Sequence, residues 1–279
     1  MTLTYNRYGK ARVRVMRLNR ASPRHEVREL TLEVMLEGDF ARSYTEGDNS
    51  AIVATDTMKN IVNALAADHL AAETEDFAAI VGRFLVERYA QAERATVTAL
   101  ETRWRRLSLD GAPHEQVFTL DGNGQAFARM VTTAAGTETA SGLRGYTFLK
   151  SSGNGWANFH RDAYRTLPDT DDRIVATSMD ATWTWSATPA SYEAANAAIL
   201  DAMLRNFAGR YSRGVQDSMY RMGEAALAAV PEIATVRFAM PNKHYIPIDL
   251  TPFGRETRGD VLLPTDEPHG LIEAEIARG

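Results

Sequence analysis

The chain of 279 residues contains no cysteine. That excludes disulfides, thiolate zinc sites, cysteine-ligated iron–sulfur clusters and a thiol nucleophile, and it makes a reducing compartment the expectation. No apolar run approaches membrane-spanning length, and Met1–Asn19 carries charges throughout where a signal peptide would be apolar. A soluble, cytoplasmic protein without a membrane role is expected. The final Ile276-Ala277-Arg278-Gly279 is not a peroxisomal tripeptide. There is no phosphate-binding G-x-x-x-x-G-K-[ST], no G-x-S-x-G elbow and no H-E-x-x-H. Gly122-Asn123-Gly124-Gln125-Ala126-Phe127 lacks the third glycine of a dinucleotide fingerprint and lies between strand-like runs, so it reads as a turn. The histidines (His25, His69, His114, His160, His244, His269) are scattered and no two share a helical turn, so nothing local supports a metal site. An enzyme with this sequence works with oxygen and nitrogen side chains.

Acidic residues slightly outnumber basic ones, 36 to 31. The net charge of −5 argues against bulk nucleic-acid binding. The local exception is Arg7, Lys10, Arg12, Arg14, Arg17 and Arg20, either a solvated strand face or a positive lining for a small anion.

What is present is ordinary globular composition, 44% hydrophobic and 24% charged, over a length that favours about two domains. Period-two alternation marks strands at 10–19 and 26–37. Met58, Ile61, Val62 and Leu65 predict one helix; Phe77, Ile80, Val81 and Phe84, after Thr74-Glu75-Asp76, predict a second. Strand-like runs follow at 95–109 and 114–132. The order then repeats: strands at 139–150 and 172–186, helices beginning after Thr188-Pro189 and near Val215, and strands at 233–240 and 243–250 with shorter pieces near 260–263 and 270–277. Two ββααββ units, 1–135 and 136–279, imply an α+β fold of antiparallel sheets with helices on one face. The uncovered sheet faces call for an oligomer.

One stretch resists a bland reading. In MPNKHYIPIDL, residues 240–250, His244 shares a strand face with Ile246, Ile248 and Leu250. It is either a core histidine with a local partner or a chemical group held on a rigid element.

The sequence resembles the urate oxidases (uricases). The residues that carry the likeness are Tyr8-Gly9-Lys10, Val53-Ala54-Thr55-Asp56-Thr57-Met58-Lys59-Asn60, Leu149-Lys150-Ser151, Phe159-His160-Arg161-Asp162-Ala163-Tyr164, Asp172-Arg173-Ile174, Asp180-Ala181-Thr182-Trp183 and Pro241-Asn242-Lys243-His244-Tyr245. The resemblance implies the tunnelling fold (T-fold), two ββααββ units assembled as a homotetramer around a β-barrel, with active sites at subunit interfaces. It implies a reaction without metal or organic cofactor: urate, dioxygen and water give 5-hydroxyisourate and hydrogen peroxide.

The same resemblance assigns roles. Phe159 would stack on the purine, Arg173 would clamp one edge with its planar fork, and Gln216 would take the opposite edge. Val215 would contribute its backbone at a helix start, where unpaired N–H groups favour an anion. Thr55 and Asp56 would meet the urate from a neighbouring subunit, with Thr55 relaying a proton and positioning oxygen or water. Lys10 would be the base, a role that requires burial or cationic neighbours. Lys10 and Thr55 would act with His244, and Asn242 would hold dioxygen and then water above the purine. Each residue also has a plainer account: a loop anchor for Phe159, a strand-start arginine for Arg173, a first-turn surface residue for Gln216, a packing residue for Val215, a helix cap for Thr55 or Asp56, one more strand charge for Lys10. The sequence departs from the family pattern at Arg165, where threonine is common, and at His160. Alternatives are a T-fold enzyme acting on another purine or a pterin, a purine-binding protein without turnover, and a purely structural oligomer.

Overall fold

The computed structural model describes residues 1–279. Two compact units emerge: residues 1–142 with 188–193, and residues 143–187 with 194–279. No helix is long and apolar enough to cross a membrane.

The first unit opens with strands β1 (Tyr8–Asn19) and β2 (Glu26–Gly38), followed by the short helix α1 (Ala41–Thr45) and two longer ones, α2 (Thr55–His69) and α3 (Thr74–Arg88). Strands β3 (Ala92–Thr102), β4 (Trp104–Leu109), β5 (Ala112–Leu120) and β6 (Gln125–Thr133) follow. Strands β1, β2, β3 and β6 lie side by side in that order, antiparallel at each pairing. The alternation in β2 has the predicted consequence: Leu30, Leu32, Val34 and Leu36 are all fully buried, packed with Met58, Val62, Phe77 and Val81 of the helices. Acidic Glu75 and Asp76 in the first turn of α3 and Arg88 in its last complement the helix dipole.

Two details differ from the sequence reading. The buried stripe of α3 runs through Phe77, Ala78, Val81, Gly82 and Leu85, while Phe84 is 36% exposed. Small residues, which carry little weight in a hydrophobic pattern, face the sheet and let the helix approach it. The runs 95–109 and 114–132 each divide. Strands β4 and β5 form their own two-stranded ribbon around Asp110-Gly111, both with positive φ (51° and 81°), the geometry of a tight hairpin turn.

The second unit contains β7 (Gly136–Lys150), β8 (Val175–Trp185), α4 (Tyr192–Gly209), α5 (Val215–Ala229), β9 (Ile233–Pro247) and β10 (Leu262–Ala277), with β7 and α4 starting within the first unit and strand order β7-β8-β9-β10. Val175, Met179, Ala181 and Trp183 are buried on one face of β8, as the alternation predicts. Met219, Met222 and Ala226 of α5 are buried with them. The expected pair 233–240 and 243–250 is one strand ending at Pro247, and the two pieces near 260–277 are also one strand, with a register shift between Thr265 and Gly270. Pairing with β10 on both sides of Pro241, with Leu271 opposite the proline, carries β9 through it without a break. The ββααββ order therefore holds in both units, with α1 and the β4–β5 ribbon added to the first.

One close approach governs the start of β1. A Cβ on Gly9 would sit 1.9 Å from the Val34 carbonyl oxygen and 2.8 Å from Met35 Cα. Immediately beyond, β1 carries a bulge between Lys10 and Val13, with Arg12 at φ 58°. A bulge of this kind redirects the side chains that flank it. Gly9→Ala should force β1 away from β2 and destabilise the fold by about 1–3 kcal/mol, the usual range for overpacking. Chemical denaturation of the two proteins checks this; an unchanged midpoint would show that β1 yields freely.

Candidate active site

Residues 151–174 form neither helix nor a named strand. A segment of that length must satisfy its backbone by other means. Fully buried Asn154 donates from Nδ2 to the carbonyls of Lys150 (3.3 Å), Ser152 (3.2 Å) and Arg173 (3.1 Å). Asp172 accepts from the Ser152 hydroxyl (2.8 Å) and the Gly153 N–H (2.6 Å). The Ser152 bond, then the Gly153 bond, hold its carboxyl below the ordinary carboxylate range. Gly155 N–H donates to the Ser212 carbonyl (2.8 Å) and Ser212 N–H to the Gly153 carbonyl (3.0 Å), which ties the loop to the residues before α5. Trp156 and Thr170 exchange both backbone hydrogen bonds, at 2.8 and 2.9 Å.

The loop held in this way presents an aromatic pair. The Trp156 and Phe159 rings stack with centroids 5.5 Å apart and planes 17° from parallel. The Arg173 guanidinium carbon lies 5.7 Å from the Trp156 ring centre. Its Nε is buried and has no acceptor in the chain, and burial lowers the pKa of the group from its usual value. Arginine nevertheless stays charged, so the loop holds a half-buried cation that an incoming anion would stabilise. Helix α5 begins at the same place. A Cβ on Gly214 would meet Trp156 Cζ3 at 2.8 Å and lie 3.6 Å from Gln216 Oε1, so only glycine admits the indole there. Buried hydroxyls fix this start: Ser218 Oγ donates to Ser212 Oγ (2.6 Å), which donates to the Gly214 carbonyl (2.8 Å). No side chain caps α5, leaving its first-turn N–H groups as donors. Val215 is buried and Gln216 is exposed. Phe159, Arg173, Val215 and Gln216 thus belong to one connected arrangement: a flat ring system, a fork of donors and a helix N-terminus, the elements that recognise a planar anion with hydrogen-bonding edges.

Lys10, Thr55 and Asp56 lie in the first unit. Lys10 is half-buried and precedes the β1 bulge. Thr55 is the first residue of α2, but Ala54 occupies the cap position and no side chain caps the helix. Asp56 instead pairs with Lys59 and accepts from Asn60 at 3.1 Å. The capping account of Thr55 and Asp56 therefore fails. Lys59 is the main cause holding the Asp56 carboxyl below its usual range, and the charge of Lys10 contributes, which places Lys10 in its electrostatic neighbourhood. The Val53 N–H donates to the Tyr8 hydroxyl at 2.8 Å, fastening the approach to α2 onto β1.

Asn242 and His244 sit on β9 opposite Gly270 and Thr265, the residues that bracket the register shift of β10. Asn242 is buried and its Oδ1 has no partner in the chain. His244 is half-buried, and the aliphatic face expected to enclose it is open: Ile246 is 51% exposed and Ile248 lies beyond the strand. No hydrogen bond or ring contact within the chain joins either residue to Phe159 or Arg173. Sequence reasoning missed Asn154, Trp156 and Ser212, whose work is done at long separation in sequence. The one available signal was the long non-periodic run between two clear strands.

Asp172→Ala should release the loop, with several-fold faster amide exchange at Gly153–Gly155 and little change elsewhere. Because the folded-state pKa of Asp172 is depressed, its anchoring is complete above the ordinary carboxylate range and lost as pH falls through the lower folded value. The wild-type loop should therefore keep its protection into mildly acidic solution. Unchanged exchange in the variant would assign the loop's order to Asn154 alone.

Residues 6–130 and 139–273 match the sequence profile of the uricase family. The uricase of Arthrobacter globiformis is 37% identical over 280 residues, covering 100% of this chain and 90% of the relative. That of Aspergillus flavus is 37% identical over 289 residues, covering 98% and 95%. The crystal structure of the Arthrobacter globiformis uricase superposes with a TM-score of 0.94 at 36% identity, covering 100% of this chain and 95% of that one. The expected T-fold is therefore the fold observed. With both ββααββ units matched along nearly their whole length, the chain belongs to the uricase family.

Proposed function

We propose that this protein is a urate oxidase that combines urate, dioxygen and water to give 5-hydroxyisourate and hydrogen peroxide, with no metal or organic cofactor. The observation that carries the reading is the half-buried Arg173 guanidinium, its Nε unpartnered, beside the Trp156–Phe159 pair and the start of α5. Urate is planar, anionic and rich in hydrogen-bonding edges, so it matches each part. Phe159 stacks on the ring, Arg173 pairs with one edge, Gln216 with the other, and the Val215 N–H donates to the purine.

The electrons come from urate itself. Two pass to dioxygen, which leaves as hydrogen peroxide, and the oxygen of water becomes the hydroxyl at C5. The protein positions the reactants and moves protons. Asn242 holds dioxygen and later water, and its buried, unpaired Oδ1 suits the water, which can donate to it. Lys10 and Thr55 of one chain act with His244 of another, while Thr55 and Asp56 also contact the substrate. Assembly as a homotetramer supplies what a single chain leaves open: a cover for the exposed Ile246 and Leu263 beside His244, and surroundings that adjust Lys10 to act as a base. A cytoplasmic setting is part of the same reading and draws on the absence of cysteine.

The test is chelator-treated protein mixed with urate in air, with urate loss and peroxide followed together. Stoichiometric peroxide is the expected result; saturable binding without turnover would make the protein a purine-binding member of its family. Lys10→Met should lower kcat by about 10²–10⁴, the usual worth of a general base, while leaving purine affinity within a few-fold. Equal loss of both would remove Lys10 from the proton relay.

A further inference from the structure

Phe159 carries a neighbour that its stacking role does not explain. The guanidinium carbon of Arg165 lies 4.1 Å from the Phe159 ring centroid, over the ring itself, where a purine would stack. The side chain of Arg165 is 16% exposed. Its Nε donates to the Leu167 carbonyl at 3.0 Å and its Nη2 to Asp169 Oδ1. The Arg165 backbone N–H reaches the Asp162 carbonyl at 3.3 Å. Asp169 also accepts from Arg161 Nη2 at 3.2 Å, so one carboxylate gathers the loop around the guanidinium. A flat cation on a flat ring excludes a stacked base from the same area, and the contact is itself attractive.

We propose that Arg165 is an affinity-determining cover on Phe159, latched by Asp169, that leaves the ring before the substrate stacks there. The inference rests on the reading of Phe159 as the stacking ring. Substrate then competes with a group of the protein's own, and the apparent affinity is the intrinsic one reduced by the fraction of sites uncovered. Asp169 sets that fraction without touching the substrate, because it holds the guanidinium in place.

Two variants of the full chain separate covering from charge. Arg165→Thr removes a positive charge near an anion site; Asp169→Asn removes a negative one and loosens the latch. If charge alone mattered, KM for urate would rise in the first and fall in the second. Uncovering lowers it in both, by about three- to tenfold for Arg165→Thr and about threefold for Asp169→Asn, as expected for loss of a cation–π contact, with kcat changed by less than about twofold. The decrease should persist at 0.5 M salt, where charge effects are screened. Opposite shifts, or a KM unmoved or raised in both variants, would overturn the cover. Should Arg165→Thr not fold, an unchanged KM in Asp169→Asn at high salt overturns it equally. Wild-type turnover of urate is the control: without it the stacking role of Phe159 fails and takes this inference with it, whereas turnover with unmoved KM values defeats the cover alone.

Discussion

Removing a guanidinium from water is costly unless acceptors replace the solvent. Half-buried Arg173 is partly in that condition, its Nε buried and unpaired and its pKa lowered by burial. Much of the second unit's irregular structure keeps it there. Asn154 fixes the Arg173 carbonyl, Asp172 fastens the turn at Ser152 and Gly153, and Ser212 ties the loop to α5. The charge faces indole and makes no ion pair within the chain, which on the proposed reading leaves it for an anionic substrate.

The two units contribute different things. The second supplies a preorganised plane and its donors, all on a loop and a helix start that sheet strands hold in place. The first supplies Lys10 and Thr55, one at a strand bulge and one in the first turn of a helix, joined by the bond from Val53 to Tyr8. In each unit a strand irregularity and a helix start without a side-chain cap lie among the candidate residues: the β1 bulge and α2 in the first, the β10 register shift opposite β9 and α5 in the second. Arg165 adds a side chain that lies over the Phe159 ring.

Much of this was legible in the sequence, and for identifiable reasons. Alternation in β2 and β8 declared their buried faces because one face packs against helices. Val215 marked the start of α5, and the short motifs carried the family resemblance. What escaped was long-range or small. Phe84 outweighed Ala78 and Gly82 in the pattern of α3, although the small residues make the contact. Asn154 and Trp156 carry no periodic signal, since their partners lie at Arg173, Thr170 and Gly214. The expected division of β9 at 241–242 does not occur, because β10 pairs with it on both sides of Pro241. The strand face read around His244 holds only as far as Ile246, since β9 ends at Pro247, and in the single chain that face is open.

The central claim is that Arg173 awaits an anion. Equilibrium dialysis with urate under nitrogen, where no turnover consumes the ligand, measures this directly for the wild type and for Arg173→Met. The account predicts saturable binding by the wild type and a loss of affinity of roughly 10- to 100-fold in the variant, the worth of a charged hydrogen-bonding partner. Equal affinity in the two proteins would contradict it.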